Sequence, residues 1–353
     1  MVLSGLTSCS SLVSFMKNIS LKSFEPDRKE TTMVNVLVIG ATGYIGRELT
    51  QSLVRSGSHR VYGLARTPSK AQSLSRDEVI PIIGSITENA QLLQAIDTHH
   101  INIVVDVAAA NQDTYVLLTE LKKLGAARVE ATKNSGVPVA KLGFIYCSGT
   151  WVHGNSLDPV NDLTPVGTPN SPSPPARLTS WRAKLEQGVL ASSDVLDVMV
   201  VRPALVYGRS SAIWSLYFDA LHAAAKNEAE TVSLPADATS RLALVHVDDV
   251  ASGFRAAIEK LPLIAGSGVY PVFDLVTSQE GMLDILGFAA SSLGFKGKVE
   301  MAGSGGKLFP EAMNTSLNAC SGRARSILGW EPKRFGFVQN MDLFAEAFLA
   351  AKL

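Results

Sequence analysis

Three glycines, Gly40, Gly43 and Gly46, follow a short apolar segment at intervals of three residues. The segment Val34–Ile39 is rich in β-branched residues and too short for most helices, so it predicts a buried parallel strand. After Gly46 the apolar residues repeat with helical spacing. The order strand, glycine turn, helix is the arrangement that binds the pyrophosphate of a dinucleotide.

Each glycine has a distinct physical role in such a turn. The first permits the tight turn, the second lets backbone N–H groups approach a phosphate, and the third lets the helix lie close to the strand. An ordinary strand-to-helix turn is the alternative interpretation. The residues predicted to bind the cofactor here are Gly40, Thr42, Gly43, Tyr44, Ile45 and Gly46.

Arg66 ends a second predicted strand at residues 61–65, and Lys70 follows it closely. An acid at this position would bind the ribose 2′-hydroxyl of NAD, whereas an arginine favours the 2′-phosphate of NADP. The sequence therefore predicts NADP (NADPH) in preference to NAD. The alternative is that both side chains are solvated surface cations.

Further apolar segments alternate with helical patterns along the chain. Right-handed crossovers between successive strands then imply an α/β fold with a doubly wound parallel sheet. Small side chains at the end of the fourth strand, Ala108 and Ala109, leave room for a cofactor. The segments predicted as the third, fourth and sixth strands are 79–86, 103–110 and 198–203, and 142–154 is predicted as the fifth strand with the loop at its carboxyl end.

The segment GATGYIG at 40–46 resembles the fingerprint of the extended and atypical short-chain dehydrogenases/reductases, an epimerase/dehydratase-like superfamily. The segments RPALVYG at 202–208, LVHVDDVA at 244–251 and LGWEP at 328–332 are similar to further segments of its members. The resemblance implies a Rossmann domain at 33–203, with Pro203 at the cofactor. It also implies a smaller, mainly substrate-binding α/β region at 204–353, from which residues 242–260 return to the Rossmann domain.

Members of this superfamily use a tyrosine and a lysine spaced YxxxK, with a serine or threonine in a preceding loop. The tyrosine acts as general acid or base, and the lysine binds the nicotinamide ribose. In this sequence the lysine position is assigned to Lys184 and the tyrosine position to Ser180. The hydroxyl position falls on Gly149, between Ser148 and Thr150. The resemblance thus implies cofactor binding with an altered catalytic site.

A substitute proton donor is needed because a serine hydroxyl titrates far above neutral pH. His153 and Tyr207 are the candidates, since histidine titrates close to physiological pH. The alternative for His153 is a loop histidine bonded to the backbone. His246 is expected to shape a strand-to-helix turn whose helix is capped by one of two aspartates, Asp248 or Asp249.

Aromatic and cationic side chains provide the substrate-site candidates, although buried aromatic residues are more often core. Arginines would suit an anionic or sugar-nucleotide substrate, or else be surface cations. The proline-rich segment 155–176 predicts irregular structure, either a flap beside the site or a surface loop. The substrate candidates are Trp151, Trp181, Tyr207, Trp214, Tyr217, Arg209 and Arg241.

The composition of the chain argues against several classes of partner and site. The 353 residues are 46% hydrophobic and 18% charged with zero formal net charge, which argues against a nucleic-acid partner. No apolar run approaches the roughly 20 residues of a membrane helix, so no membrane partner is predicted. Three widely spaced cysteines predict neither a disulfide framework nor a metal site, and favour a cytoplasmic location.

The first 32 residues are serine-rich and contain no acidic residue before Glu25. We interpret them as a disordered extension, or as residues upstream of a functional start at Met33. A mitochondrial transit peptide is the alternative, although no arginine precedes Arg28.

Taken together, these patterns predict an NADP-binding oxidoreductase that acts on a small carbonyl or alcohol. One alternative is a non-catalytic NADP-binding sensor or regulator, and another is a sugar-nucleotide epimerase or dehydratase. The partner is a small-molecule substrate, and the resemblance leaves a homodimer open.

Overall fold

The computed structural model describes residues 33–108, 111–136 and 140–353. The segment 1–32, and with it the prediction of an extension or transit peptide, lies outside the described residues, as does Ala109. The strands are β1 Val34–Ile39, β2 His59–Ala65, β3 Ile80–Ile83, β4 Ile103–Asp106, β5 Leu142–Cys147, β6 Ser156–Val160, β7 Leu196–Pro203, β8 Leu205–Tyr207, β9 Thr231–Leu234, β10 Arg241–His246, β11 Val272–Leu275, β12 Ser278–Gly281, β13 Lys298–Met301 and β14 Leu317–Ala319. The helices are α1 Tyr44–Ser56, α2 Pro68–Arg76, α3 Ala90–Thr98, α4 Asn111–Ser135, α5 Trp181–Leu190, α6 Ser215–Lys226, α7 Val247–Ile264, α8 Met282–Ser292, α9 Leu308–Met313 and α10 Met341–Ala350.

Seven parallel strands form the central sheet in the order β11-β7-β5-β4-β1-β2-β3. Strand β1 is fully buried from Val36 to Val38, as its continuous apolar sequence predicts for a strand covered on both faces. The order of the strands reverses between β1 and β4, which opens a crevice at their carboxyl ends. The predicted doubly wound parallel sheet is confirmed.

The chain after Pro203 builds a smaller group of strands and helices around its own aromatic core. Strands β12, β10 and β8 form one sheet there, and β13 pairs with β9. Helix α7 returns to pack on α1 and β7, and β11 adds the edge strand of the central sheet. The chain from α7 to Leu275 thus packs against the central sheet, and the division of the chain into two domains stays a prediction.

One strand lies inside the proline-rich segment 155–176, where irregular structure was expected. Strand β6 pairs with β14 in a two-stranded ladder with shifted register. The strand forms because its partner comes from a distant part of the chain, and most of the prolines follow it.

The N-terminus of α7 is capped by His246 rather than by Asp248 or Asp249. The Nδ1 atom of His246 accepts a hydrogen bond from the backbone N–H of Asp248 at 3.1 Å. The Asp249 carboxylate instead accepts from the backbone N–H groups of Lys333 and Arg334. Burial lowers the pKa of His246 to about 4, so the ring is neutral at pH 7 and can accept.

This cap predicts a pH-dependent stability. Because the pKa of His246 is near 6.5 when unfolded and about 4 when folded, the unfolded state binds more protons between these values. Stability therefore falls as the pH drops through that window, by about 2 kcal/mol between pH 7 and pH 5. Urea denaturation at both pH values should show a smaller loss for His246→Asn, which caps without titrating. An equal loss in both proteins would contradict this origin.

Candidate functional site

The first cleft lies at the carboxyl ends of β1, β2 and β4, beside the reversal of strand order. Its volume is about 480 Å³. Ser85, Thr87 and Asp113 line it without having been predicted. The predicted residues that the structure brings together here are Gly40, Thr42, Gly43, Tyr44, Ile45, Arg66, Lys70 and Ala108.

The glycine turn beneath this cleft has no room for a side chain at Gly40 or at Gly46. Gly40 has a positive φ of 82°, and a Cβ on it would lie 2.8 Å from the backbone of Ala108. A Cβ on Gly46 would lie 2.0 Å from the carbonyl oxygen of Gly40, so α1 packs directly on the turn. Gly43 caps α1 without a side chain, which leaves the first N–H groups of the helix without a side-chain acceptor. Such a helix terminus suits a phosphate.

Arg66 and Lys70 stand at the mouth of the cleft with exposed side chains. Within the described part of the chain, neither forms an ion pair, whereas Arg47 lies 3.8 Å from Asp77. Their charges are therefore available to an anion in the cleft.

Tyr44 lines the cleft, but its hydroxyl already forms a hydrogen bond within the protein. It donates a hydrogen bond of 2.6 Å to the carbonyl oxygen of Gly208, at the end of β8. Burial raises the pKa of Tyr44 well above its usual range, so the phenol stays neutral. Tyr44 therefore ties the glycine turn to the smaller region.

A second, smaller cavity of about 150 Å³ adjoins the first cleft, and Ile45 and Val107 line both. Apolar groups form most of its wall. Burial raises the pKa of Cys147 in this wall to about 12, which makes the thiol a poor nucleophile. The predicted residues that line the cavity are Ser148, Thr150, Trp151 and Pro203, and Arg182 joins them.

Arg182, not Lys184, reaches this cavity from α5. The Nη1 atom of Arg182 donates a hydrogen bond of 2.8 Å to the carbonyl oxygen of Ser148. The structure places Lys184 and Ser180 on exposed positions, and neither lines the two cavities. Sequence reasoning missed Arg182, although it stands one helical turn before the buried Glu186 and so shares its face.

His153 has a fully buried side chain and does not line the cavity. Its Nε2 donates to the Asp274 carboxylate at 2.8 Å, rather than to the backbone. The other Asp274 oxygen lies 3.7 Å from Arg202, whose guanidinium makes a bidentate pair with Glu186 at 2.6 and 3.0 Å. We call His153, Asp274, Arg202 and Glu186 the buried ionic network.

The buried ionic network joins the two elements that carry the small cavity. His153 ends the 3-10 turn that begins at Thr150, and Glu186 lies one turn after Arg182. Burial alone would lower the pKa of Arg202, but the adjacent Glu186 carboxylate outweighs it and the pKa is raised. The network thus holds a permanent charge and fixes the turn against α5.

The predicted substrate residues divide between the cavity and the core. Trp151 lines the cavity, and Trp181 is half-buried beside the Arg182 guanidinium. Tyr207 and Trp214, with Tyr217, are fully buried in the aromatic core of the smaller region, where they pack around Phe337 and Phe218. The side chains of Arg209 and Arg241 are exposed and line neither the two cavities nor the cleft beside the proline-rich segment.

A third cleft of about 440 Å³ separates the proline-rich segment from the smaller region. Arg177 and Glu311 both line it and pair through two hydrogen bonds of 2.9 and 2.8 Å. Hydrogen bonds from Thr239 lower the pKa of Asp237, which keeps a second carboxylate ionised in the wall. Acidic charge therefore exceeds basic charge in this cleft.

Comparisons with known proteins agree with this geometry. The sequence matches the NAD dependent epimerase/dehydratase family over residues 36–271. No functionally curated protein matches it significantly. None of the helices in the described ranges is long and apolar enough to cross a membrane.

Several solved structures share the fold. dTDP-glucose 4,6-dehydratase from Bacillus anthracis, in complex with NAD, has a TM-score of 0.65 at 17% identity, covering 90% of this chain and 97% of that chain. UDP-glucose 4-epimerase from Thermotoga maritima, with UDP-glucose, gives 0.64 at 19% identity, covering 91% and 100%. UDP-glucuronic acid 4-epimerase from Bacillus cereus, with UDP-glucuronic acid and NAD, gives 0.63 at 18% identity, covering 90% and 100%. At these identities the likenesses establish the fold alone.

Proposed function

Because the chain belongs to the NAD dependent epimerase/dehydratase family, we propose that it binds a nicotinamide dinucleotide and acts as an oxidoreductase on a small carbonyl or alcohol. One observation carries the proposal. The 480 Å³ cleft and the 150 Å³ cavity share a wall at Ile45 and Val107, so a dinucleotide in the first adjoins a substrate in the second.

The residues of the first cleft fit a dinucleotide. The side-chain-free turn at Gly40, Gly43 and Gly46 and the uncapped N–H groups of α1 would hold the pyrophosphate. Arg66 and Lys70 would hold the 2′-phosphate of NADP. When bound, the nicotinamide ring supplies or accepts a hydride.

In the cavity, Thr150 and Ser148 offer hydroxyl groups that can orient a substrate oxygen. Neither can act as a proton source near neutral pH, because alkyl hydroxyls titrate far above it. Tyr44 cannot be the proton source either, since its hydroxyl donates a hydrogen bond to the carbonyl oxygen of Gly208. We therefore expect the substrate oxygen to exchange its proton with water instead of a phenol, and accordingly slow rates.

The NADP preference predicts a selective effect of Arg66. Arg66→Ala removes a charge-assisted contact to the 2′-phosphate, so NADPH should bind about 10-fold more weakly, as expected for a hydrogen bond to a charged group. NADH affinity should change little, because NADH lacks that phosphate. Calorimetric titration of both proteins with both cofactors measures this. Arg55→Ala, an exposed arginine bonded to Gln51 within α1, is the control. Equal loss for the two cofactors would contradict the assignment.

Sugar-nucleotide epimerisation or dehydration is the second candidate, and the comparisons favour it over small-carbonyl reduction. The solved relatives contain UDP-glucose or UDP-glucuronic acid, or act on dTDP-glucose. The third cleft is large enough to hold part of such a substrate, but its excess of carboxylates opposes a diphosphate.

One comparison separates the candidates. The protein is incubated with NADP or NADPH and either a panel of small carbonyls and alcohols or UDP-glucose, UDP-glucuronic acid and dTDP-glucose. Product formation from the small compounds supports the first candidate, and conversion of a sugar nucleotide replaces it with the second. Cofactor binding with no product from either set would favour the non-catalytic sensor. Cytoplasmic location and a homodimer stay predictions.

A further inference from the structure

The Arg182 guanidinium lines the 150 Å³ cavity. Its Nη1 bonds the carbonyl oxygen of Ser148, but its buried Nε has no hydrogen-bond partner. Among the described residues, no carboxylate forms an ion pair with it. The buried Ser148 hydroxyl beside it also lacks a partner. An arginine is permanently charged, and the buried Asp106 carboxylate acts on Arg182 only through a longer-range electrostatic attraction and not through an ion pair.

Gly149 provides the space that Arg182 occupies. A Cβ on Gly149 would lie 2.8 Å from Nη1 of Arg182, closer than non-bonded atoms approach. Gly149 stands where the resemblance places a serine or threonine, and its lack of a side chain leaves room for the Arg182 guanidinium. The two residues form one arrangement in which a fixed cation replaces a hydroxyl.

We propose that Arg182 binds the carboxylate of the substrate, so that the small cavity selects 2-oxo or 2-hydroxy acids. The assignment rests on the proposed function and names its substrate class. A cavity of about 150 Å³ is the size that holds a benzene molecule, which matches an acid of about six non-hydrogen atoms. A planar guanidinium bonds a carboxylate through two donors, which neutral ribose hydroxyls of a dinucleotide cannot match in strength.

Calorimetry with oxamate and oxamide tests the proposal without turnover. The two probes have the same number of non-hydrogen atoms and similar planar shapes, but only oxamate is an anion. Oxamate should bind the wild-type protein about 10- to 100-fold more tightly than oxamide, the range expected for charge-assisted hydrogen bonds. Arg182→Gln should remove this preference, and Arg182→Lys should restore part of it.

Two further variants distinguish the loss of the Arg182 contact from a loss of folding. Gly149→Ala should also weaken oxamate binding, since its methyl group displaces the guanidinium. Arg255→Gln removes a partly exposed arginine that pairs with Glu259 within α7, and should leave the preference unchanged. Melting curves show which variants are folded.

Each titration is made with and without NADPH, so that the two proposals can fail separately. Absence of NADPH binding contradicts the proposed function, whereas equal binding of oxamate and oxamide contradicts the role of Arg182. An Arg182→Gln variant that loses NADPH affinity but keeps the oxamate preference would assign the guanidinium to the cofactor and overturn the proposal.

Discussion

Arg202→Met is expected to destabilise the protein by about 3–5 kcal/mol, the cost of breaking a buried ion pair by removing one partner. Arg202 is 1% exposed and is the cation between Glu186 and Asp274. Methionine fills similar space but leaves both carboxylates buried without a counter-charge. Urea denaturation should show the loss as a lower midpoint and a lower free energy of unfolding.

The matched control is Arg177→Met. Arg177 pairs with Glu311 in the same bidentate manner, but its side chain is 62% exposed. Exposed pairs contribute about 0–1 kcal/mol, so this variant should change the free energy of unfolding little. Similar losses from both substitutions would show that burial of the ionic network does not set its energetic importance.

Gly46→Ala should both destabilise the fold and abolish dinucleotide binding. The added Cβ would lie 2.0 Å from the Gly40 carbonyl oxygen, so α1 must move away from the turn. Overpacking of this kind costs about 1–3 kcal/mol. Because the same movement displaces the helix terminus that would hold the pyrophosphate, NADPH affinity should fall below detection in a calorimetric titration.

Gly287→Ala is the control for the second prediction. Gly287 lies in the interior of α8, is exposed, and has open space around its Cβ position. Alanine should stabilise this helix by up to about 1 kcal/mol, because glycine has the lower helix propensity. If Gly46→Ala behaves like Gly287→Ala in stability and binding, the glycine turn is not a dinucleotide site.

The sequence predicted the central sheet and the first cleft because their signals are local. The run from Val36 to Ile39 is apolar throughout, and the glycines that follow have the three-residue spacing of the turn. Arg66 follows β2 directly, so its place at the cleft could be inferred from the strand end alone.

The remaining features of the site depend on contacts between residues that are far apart in the sequence, and these contacts leave no local pattern. His153 pairs with Asp274, which is 121 residues away, and no local pattern shows that contact. Residue type alone cannot separate the aromatic residues of a core from those of a pocket, so the sequence predicts Tyr207 and Trp214 at the substrate site although they are fully buried. Residue type points to Lys184 as the cationic residue of α5, whereas Arg182 is the residue that shares a helix face with the buried Glu186 and reaches the cavity.

The most direct test of the central claim is titration of the full chain with NADPH, followed by nicotinamide fluorescence and checked with NADH. We expect saturable binding of NADPH in the micromolar range and markedly weaker binding of NADH. Absence of binding by either cofactor would mean that the glycine turn only packs α1 against β1, and it would contradict the oxidoreductase proposal.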